Sequence, residues 1–190
     1  MVDIGFIHDI EFLVSCMPSQ RHSLFFSATV DGKVEQILKR FVSDPITVSV
    51  KTQATAETIE QDVIHVQDKG KKVDLLHDLL IQDGFDKVMV FGRTKWGIEK
   101  LTKSLVLRGF RADSIHGNKS QGRRQRALKA FKDNQIQVLL ATDVASRGID
   151  IPEVTHVINY DAPESYEDYI HRIGRTGRAN RKGMAITFVE

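Results

Sequence analysis

From residue 60 onwards, short apolar segments alternate with longer segments in which apolar residues recur at helical spacing. The short segments are rich in Val, Ile and Phe, which is typical of buried strands. Strands that alternate with helices of about 10 to 15 residues form parallel sheets in α/β domains. We therefore predict a doubly wound α/β domain with strands at Val63–Val66, Val88–Phe91, Ala112–Ile115, Val138–Ala141, His156–Asn159 and Ala185–Val189, and helices at Lys71–Gln82, Lys95–Arg108, Gln121–Lys132 and Ser165–Ile173.

Two of these helices follow residues that favour helix starts. Thr94 and Ser120 immediately precede the second and third predicted helices, and both residue types are common N-caps. In the third helix, Arg124 shares the face of the apolar residues that follow it, so we expect it on the sheet side of the first turn. Arg123 and Arg126 then face solvent.

The first 50 residues have a different pattern. It predicts a helix at 1–17, a strand at Ser23–Ser27, a helix at Gly32–Phe41 and a strand at Ile46–Val50. The polar, threonine-rich stretch that follows has no hydrophobic periodicity and is typical of a linker, which we place at 51–58.

The charge of the chain is unevenly distributed. The formal net charge is only +2, with 27% charged and 41% hydrophobic residues, as in an ordinary globular protein. However, Lys119–Lys132 carries six bases and no acid, and Arg172–Lys182 carries five bases and no acid. Two local basic stretches indicate a localised anionic partner.

Composition also argues against several classes of protein. A single cysteine, Cys16, excludes an internal disulfide framework and is typical of a reducing compartment, so we expect a cytoplasmic protein. Neither a Cys/His cluster typical of zinc sites nor a signal-peptide pattern is present, and no apolar run approaches the ~20 residues of a membrane span. We expect no metal site in this chain and no membrane partner.

The second basic stretch contains the most informative segment, His-Arg-Ile-Gly-Arg-Thr-Gly-Arg at 171–178. At helical spacing His171, Arg175 and Arg178 share one face, and arginine forks suit bidentate contact with phosphate oxygens. Gly174 and Gly177 lie three residues apart, where we expect the backbone to pass close to a neighbour. Taken alone, such a cluster is equally compatible with phosphate contact and with a solvated basic turn.

This segment resembles motif VI of the DEAD-box RNA helicases. Further segments resemble other motifs of that family, in the family's order and at about its spacing, so the resemblance covers essentially the whole chain. They are Ser27-Ala28-Thr29 (motif III), Val88–Phe91 with Thr94 (motif IV), Gln121 and Arg124 followed by Leu128 and Phe131 (the motif just downstream), and Ala141–Asp150 (motif V).

The resemblance sharpens the expected fold to RecA-like. It implies that residues 1–50 are the C-terminal remnant of a first, ATP-binding RecA-like domain, that 51–58 link the domains, and that 59–190 are the complete second domain. The stretch 1–6 resembles the region downstream of the Asp-Glu-Ala-Asp motif. No G-x-x-x-x-G-K-[ST] loop is present, so we expect the missing first domain to hold the ATP phosphates and Mg²⁺, and this chain alone to be inactive.

For ATP, the resemblance implies contacts from motifs V and VI. Arg178 would be the arginine finger that reaches the γ-phosphate across the cleft, and Arg175 its partner. His171 would link the γ-phosphate side to motifs of the first domain. Asp150 would bond the ribose, with Gly148 beside it, although an acid before a proline can also be a simple turn residue.

For RNA, the resemblance implies backbone contacts from Thr94, Gly117, Gln121, Arg124 and Thr142. Contacts of this kind carry little base information, so binding should tolerate any sequence and depend steeply on salt. Contacts to 2′-hydroxyls would distinguish RNA from DNA. Local unwinding of a duplex would follow from closure of the two domains.

Coupling between the two ligands is assigned to Ser27 and Thr29 of motif III and to Arg147 of motif V, although a strand-end Ser or Thr can also simply cap a helix. We expect Trp96 and the phenylalanines to be core or helix-packing residues, without a stacking platform. Lone histidines are usually structural, and we expect this of His65, His77, His116 and His156.

Two other functions remain open from the sequence. The chain could be a stand-alone RNA-binding or regulatory module without ATPase activity, because the phosphate loop is missing. It could also belong to a DNA-directed helicase of the same superfamily, in which arginine-rich final motifs recur. An orphaned strand at Ser23–Ser27 would leave an unpaired edge, which makes dimerisation a further hypothesis.

Overall fold

The computed structural model describes residues 7–27, 32–42, 44–48, 58–146, 149, 151–178 and 181–190, with only the backbone described at 32–34 and 69. The chain divides into two compact units, Met1–Lys51 and Thr52–Glu190. The larger unit contains the whole sheet and is the part that positions the candidate site.

The described part of the smaller unit contains two helices, α1 (Ile7–Ser15) and α2 (Gly32–Phe41), joined by an ion pair between Arg40 Nη1 and Glu11 Oε1 at 3.2 Å. The strand predicted at Ser23–Ser27 is wrong, because 21–27 form no regular structure. The strand predicted at Ile46–Val50 is also wrong over its described part, 46–48. An apolar strand needs a neighbour for its backbone and side chains, and the described part of this unit contains no other strand.

Six parallel strands form a single sheet in the larger unit, so the predicted α/β class is confirmed. Their order across the sheet is β1-β6-β5-β2-β4-β3. The strands are β1 (Ile59–His65), β2 (Val88–Phe91), β3 (Ala112–Ile115), β4 (Val138–Ala141), β5 (His156–Asn159) and β6 (Gly183–Val189). The helices are α3 (Lys72–Leu80), α4 (Lys95–Leu107), α5 (Gln121–Lys132), α6 (Asp143–Ser146) and α7 (Tyr166–Ile173), and a 3-10 turn at Lys69–Lys71 precedes α3.

The bounds predicted for the four strands β2 to β5 are confirmed to the residue. The strand β1 begins at Ile59 rather than Val63, because its full length pairs in parallel with β6, from Ile59 opposite Gly183 to His65 opposite Val189. Most of the first half of β1 is polar and exposed, as is usual for an edge strand, so the hydrophobic pattern did not predict a strand there. The short helix α6 lies in a region for which no helix was predicted.

Hydrophobic cores lie on both faces of the sheet. The strands β2 and β4 are buried throughout, and their alternate side chains point to opposite faces. Val88 and Val90 pack with residues of α3 and α4 on one face, whereas Met89 and Phe91 pack with Phe131 of α5 on the other. This double coverage explains why central strands of the sheet are continuous apolar runs.

The predicted helix caps have different outcomes. Thr94 is the N-cap of α4, and its Oγ1 accepts a hydrogen bond from the Gly97 N–H at 3.0 Å, as predicted. Ser120 occupies the N-cap position of α5, but its side chain makes no capping hydrogen bond. Ser165 caps α7 by accepting from the Asp168 N–H at 3.0 Å and donating to Asp168 Oδ2 at 2.7 Å.

Gly177 lies where the backbone requires glycine, as the sequence predicted. Its φ is +67°, and a Cβ there would lie 2.6 Å from Cγ1 of Ile59 and 3.1 Å from Oγ1 of Thr58. The Thr58 hydroxyl also donates to the Gly177 carbonyl at 3.0 Å. The segment after α7 is therefore packed tightly against the start of β1.

We expect Gly177→Ala to destabilise the chain more than Gly84→Ala. Both glycines have positive φ, which costs an alanine about 1–2 kcal/mol, but a Cβ at Gly84 would meet no atom within 4 Å. Overpacking against Ile59 should add about 1–3 kcal/mol at Gly177. Urea unfolding of the two variants measures the difference, and equal losses would contradict the close approach.

Candidate functional site

The loops that carry the predicted RNA-contacting residues lie side by side. The strands β2, β4 and β3 are neighbours in the sheet, and their last residues Phe91, Ala141 and Ile115 are aligned in register. The chain therefore leaves the three strands at one edge, where ligands of open parallel sheets bind. This brings together the segments that contain Thr94, Thr142 and Gly117.

Thr94 lies at the amino end of α4, a helix of 13 residues whose first turn is exposed. The first N–H groups of a helix have no carbonyl partner within the helix and attract anions, together with the helix dipole. Thr142 follows β4 directly, and Gly117, which is exposed, is the second residue after β3. Backbone and hydroxyl donors at this edge suit phosphate oxygens.

The Gly117 loop is held in place by a buried histidine that the sequence analysis considered structural. His116 Nε2 lies 3.1 Å from Glu99 Oε2, and its Nδ1 accepts a hydrogen bond from the Asn118 N–H at 3.3 Å. An accepting Nδ1 assigns the ring proton to Nε2, which then donates to the carboxylate. The hydrogen bond from His116 lowers the pKa of Glu99 below its ordinary value, against a smaller opposing effect of burial.

We expect Glu99→Gln to make stability less sensitive to acid. Because the pKa of Glu99 is lowered in the folded protein, its carboxylate stabilises the fold above the ordinary value of 4.5, and this contribution is lost as the pH falls through the folded pKa. The wild type should therefore lose more unfolding free energy than Glu99→Gln between pH 7 and acid, measured by urea titration. Glu60→Gln, in the exposed part of β1, is the control, and parallel pH curves for Glu99→Gln and wild type would contradict this role.

The first turn of α5 is tied to the segment that follows β4. Arg124 Nη1 donates to Gln121 Oε1 and its Nη2 donates to the Ala145 carbonyl, both at 3.3 Å. Its Nε is buried and has no hydrogen-bond partner among the described residues. Arg124 is half-buried on the sheet side whereas Arg123 and Arg126 are exposed, so the predicted orientations are confirmed.

The chief polar contact at the strand ends was missed by the sequence analysis. Arg172 is 2% exposed, and its Nε and Nη2 donate to the two carboxylate oxygens of Asp143 at 2.6 and 2.8 Å. Its Nη1 donates to Asn159 Oδ1 at 3.3 Å and to the Asp161 carbonyl at 2.6 Å, and the guanidinium stacks 5.4 Å from the centre of the Phe91 ring. One buried cation thus fixes the ends of β2, β4 and β5.

A second cluster continues from Asp161 to the loop after β2. Asp161 Oδ2 accepts from the Arg93 N–H at 2.8 Å, and its Oδ1 accepts from Lys72 Nζ at 3.2 Å. The buried ammonium of Lys72 also donates to Glu190 Oε1 at 2.8 Å. Burial, followed by the charges of Asp161 and Glu190, raises the pKa of Tyr160 to about 12. The backbone before Thr94 is therefore positioned by a paired carboxylate.

The predicted shared face of His171, Arg175 and Arg178 is not helical throughout, because α7 ends at Ile173 and Gly177 has a positive φ. The two arginines are instead oriented by their Nε groups, which donate to carbonyls four residues back, His171 O at 3.2 Å and Gly174 O at 2.8 Å. Both side chains are half-buried.

The later part of this segment, after Arg172, lies beside the amino end of β5. The Thr176 hydroxyl donates to the carbonyls of Val154 and Thr155, directly before β5, at 2.6 and 3.0 Å. Arg175 Nη1 donates to the Ile149 carbonyl at 2.5 Å. His171 Nδ1 is buried and has no hydrogen-bond partner among the described residues. Buried polar atoms are usually hydrogen-bonded, so an unsatisfied buried nitrogen is unusual.

Several predicted site residues lie outside the described residues. These are Thr29, Arg147, Gly148 and Asp150. Ser27 is described, is exposed and belongs to a segment without regular structure, so the predicted strand end at motif III is not present there.

Comparison with known proteins establishes the family. The model of the helicase conserved C-terminal domain matches residues 71–180. The DEAD-box ATP-dependent RNA helicase CshA of Bacillus subtilis (strain 168) is 47% identical over 190 residues, which cover 100% of this chain and 38% of that protein. The chain belongs to the helicase C-terminal domain family, among the DEAD-box proteins. It spans 40% of CshA from Geobacillus kaustophilus, to which it is 46% identical.

Solved structures of DEAD-box proteins have the same fold as this DEAD-box chain. Dbp5 of S. cerevisiae bound to RNA and ADP BeF3 matches with a TM-score of 0.85 and 32% identity, over 100% of this chain and 51% of that chain. A DEAD box protein from Methanococcus jannaschii matches with a TM-score of 0.65 and 36% identity, over 100% and 51%. The predicted RecA-like fold, with its parallel sheet flanked by helices, is confirmed.

Trp96 does not lie in the core, contrary to the prediction. Its side chain is 71% exposed, because α4 buries Ile98, Leu101 and Leu105 and presents Trp96 on the opposite side. The same prediction is confirmed for Phe91, Phe131 and Phe188, which are fully buried, and is wrong for Phe12, Phe25 and Phe26 of the smaller unit, which are exposed.

The described residues of this DEAD-box chain contain neither a candidate metal site nor a candidate membrane span. No group of three or more His, Cys, Asp or Glu side chains that could hold a metal ion occurs there. No helix there has the length and apolar composition that crossing a membrane requires.

Proposed function

We propose that this chain is the C-terminal part of an ATP-dependent RNA helicase. In the complete protein it supplies arginines to ATP bound on another domain, and it contributes half of an RNA backbone surface that acts in local duplex unwinding. The observation that carries the proposal is the segment from Thr142 to Ile149. Thr142, at its start, belongs to the RNA-side edge. The Ala145 carbonyl accepts a hydrogen bond from Arg124, a predicted RNA-binding residue, and the Ile149 carbonyl accepts one from Arg175, a predicted ATP-binding residue.

On the RNA side, the proposal rests on the edge formed by β2, β4 and β3. Thr94 and Thr142 supply hydroxyl groups, Gly117 supplies an exposed backbone, and Gln121 and Arg124 supply a polar first turn of α5. These groups recognise phosphate and ribose rather than base edges. The similar Dbp5 structure was solved with RNA, which supports RNA as the ligand proposed here.

On the ATP side, Arg175 and Arg178 stabilise the charge that develops on the transferred phosphoryl oxygens. Each guanidinium is pre-oriented by its Nε bond to a main-chain carbonyl, so little reorganisation is needed when the phosphate arrives. We assign His171, which is half-buried, to the link between the γ-phosphate side and the other domain. We assign Asp150 to the ribose and Gly148 to the same nucleotide pocket. The metal ion that accompanies ATP is proposed to be held by the other domain.

Coupling of the two sites follows from their shared segment. Arg172 clamps Asp143 next to Thr142, and Arg175, three residues later, bonds Ile149. The arginines that bind ATP and the RNA-side loop thus hold one segment between them, so ordering of this segment by ATP also orders the loop. We propose Arg147, which lies between these contacts in sequence, and Ser27 and Thr29 of motif III as residues that sense closure of the domains.

The domain assignment is part of the proposal. Residues 1–50 would be the end of a first RecA-like domain, 51–58 the linker and 59–190 the second domain, in a cytoplasmic protein. The intact mass of the endogenous protein, recovered with an antibody against this chain, tests this directly. A mass larger by about 100–200 residues supports it, whereas a product of this length would favour a stand-alone RNA-binding module.

RNA binding itself is tested by fluorescence anisotropy of a labelled single-stranded RNA. We expect Arg124→Ala to weaken binding about 10-fold, because a charged contact that positions the backbone is lost, and Arg126→Ala to have a much smaller effect. Competition with DNA of the same sequence should be weak, and affinity should fall steeply with salt. Equal competition by DNA would favour the DNA-directed alternative, and equal effects of the two variants would contradict the assigned surface.

A further inference from the structure

The exposed face of α4 carries a side chain that the proposed RNA contacts do not use. Trp96 is the only tryptophan of the chain and is 71% exposed. Tryptophan is enriched at interfaces because the burial of its large ring is strongly favourable, so Trp96 is a candidate contact residue if its surroundings also favour a partner. No ring contact or cation–π contact of Trp96 with another described residue is present.

The position of Trp96 places it next to the RNA-side edge. It is two residues after Thr94, in the first turn of α4. Side chains on a helix lean towards its amino end, so the indole covers the turn that precedes its own Cα. The ring therefore lies over the same helix end whose N–H groups face the proposed phosphate path.

The charges around Trp96 favour an anionic partner. Arg93, Lys95, Lys100 and Lys103 are all exposed, and among the described residues none of their side chains forms an ion pair or a side-chain hydrogen bond. Lys100 and Lys103 follow Trp96 at helical spacing on the same outward face. The one acid of α4, Glu99, accepts from His116 and also interacts electrostatically with Lys103, so the cations around Trp96 outnumber the acids.

We propose that Trp96 stacks on an unpaired base of single-stranded RNA whose backbone passes Thr94. An aromatic ring flanked by cations is the arrangement that binds single strands without reading their sequence, because every base has a π-face. This inference rests on the proposed RNA-binding function and adds a base contact to it. The contact favours RNA strands whose bases can unstack from their neighbours. A protein partner is the alternative occupant of this face.

The test combines a protein variant with an RNA variant. Binding of a labelled single-stranded RNA, and of an abasic RNA of the same length and charge, is measured by anisotropy for wild type, Trp96→Ala and Trp96→Phe. Leu107→Ala is the matched control, because Leu107 is 88% exposed on the same helix face but lies about 16 Å further along it. Arg124→Ala reports the backbone surface independently.

We expect Trp96→Ala to weaken binding of the base-containing RNA about 5- to 100-fold and to leave binding of the abasic RNA unchanged. Trp96→Phe should retain most of the affinity, Leu107→Ala should match wild type, and base-containing RNA should quench the fluorescence of Trp96. One outcome would overturn stacking but support RNA binding: Trp96→Ala binds both RNAs like wild type while Arg124→Ala is impaired. In that case the exposed face around Trp96 binds a protein partner instead of a base. Equal losses on both RNAs would also overturn stacking, and no binding by any form would overturn the RNA-binding function as well.

Discussion

Arg178→Ala in the complete protein is expected to abolish most ATP hydrolysis while RNA binding persists. An arginine supplied across a cleft stabilises transition-state charge and contributes about 10³–10⁵ in rate. Arg178 lies in the segment beside the amino end of β5, whereas the RNA-side loops follow the carboxyl ends of β2, β4 and β3. A loss in kcat of about 1000-fold or more, with RNA affinity near that of wild type, is therefore expected from steady-state turnover and anisotropy.

Arg181→Ala provides the matched control for this prediction. Arg181 belongs to the same basic stretch, but it is exposed and its Nη1 pairs with Glu153 Oε1 at 2.8 Å. Its loss should change turnover very little. Wild-type turnover in Arg178→Ala would remove it from the role of arginine finger, and equal losses in both variants would indicate a general effect of charge.

Arg172→Ala is expected to destabilise the chain by about 3–5 kcal/mol, as when one partner of a buried ion pair is removed. The guanidinium is 2% exposed and makes a bidentate contact with Asp143. Its removal leaves the carboxylate, the Asn159 amide and the Asp161 carbonyl without their donor. Urea unfolding of the chain measures the loss.

The Arg108–Asp74 pair is the matched control for Arg172. Its Nη2 to Oδ1 distance is 2.6 Å, as short as the shortest contact to Asp143, but both side chains are much more exposed. We expect Arg108→Ala to cost less than about 1 kcal/mol, because exposed pairs are screened by solvent. In Arg172→Ala combined with Asp143→Ala, the loss should be smaller than the sum of the single losses. Additive losses, or equal losses at Arg172 and Arg108, would contradict the buried network.

The sheet could be predicted from the sequence because its central strands are fully buried. Val138–Ala141 is a continuous apolar run since β4 is covered on both faces, and its bounds were predicted to the residue. The same kind of run at Ser23–Ser27 was misleading. Phe26 is 92% exposed, because the described part of that unit offers no strand to pair with it. An apolar run in the sequence indicates that the segment can be buried, but it forms a buried strand only where a neighbouring strand or helix covers it.

The candidate site was predicted where it depends on local sequence and missed where it depends on tertiary contacts. Thr94 was found as an N-cap and Arg124 by its helix face. The contacts of Arg172 could not be predicted in this way, because its carboxylate partner Asp143 is 29 residues away in the chain. The exposure of Trp96 could have been predicted, because its position in α4 is opposite to the apolar stripe. The prediction of a buried side chain followed from the residue type instead of from this position.

ATP turnover by the complete protein that carries this chain, with and without single-stranded RNA, tests the central claim most directly. The proposal predicts slow turnover alone, strong stimulation by RNA and little stimulation by DNA of the same sequence, because 2′-hydroxyl and backbone contacts at the edge of β2, β4 and β3 complete the active arrangement. Turnover that is independent of RNA, or stimulated equally by DNA, would contradict it.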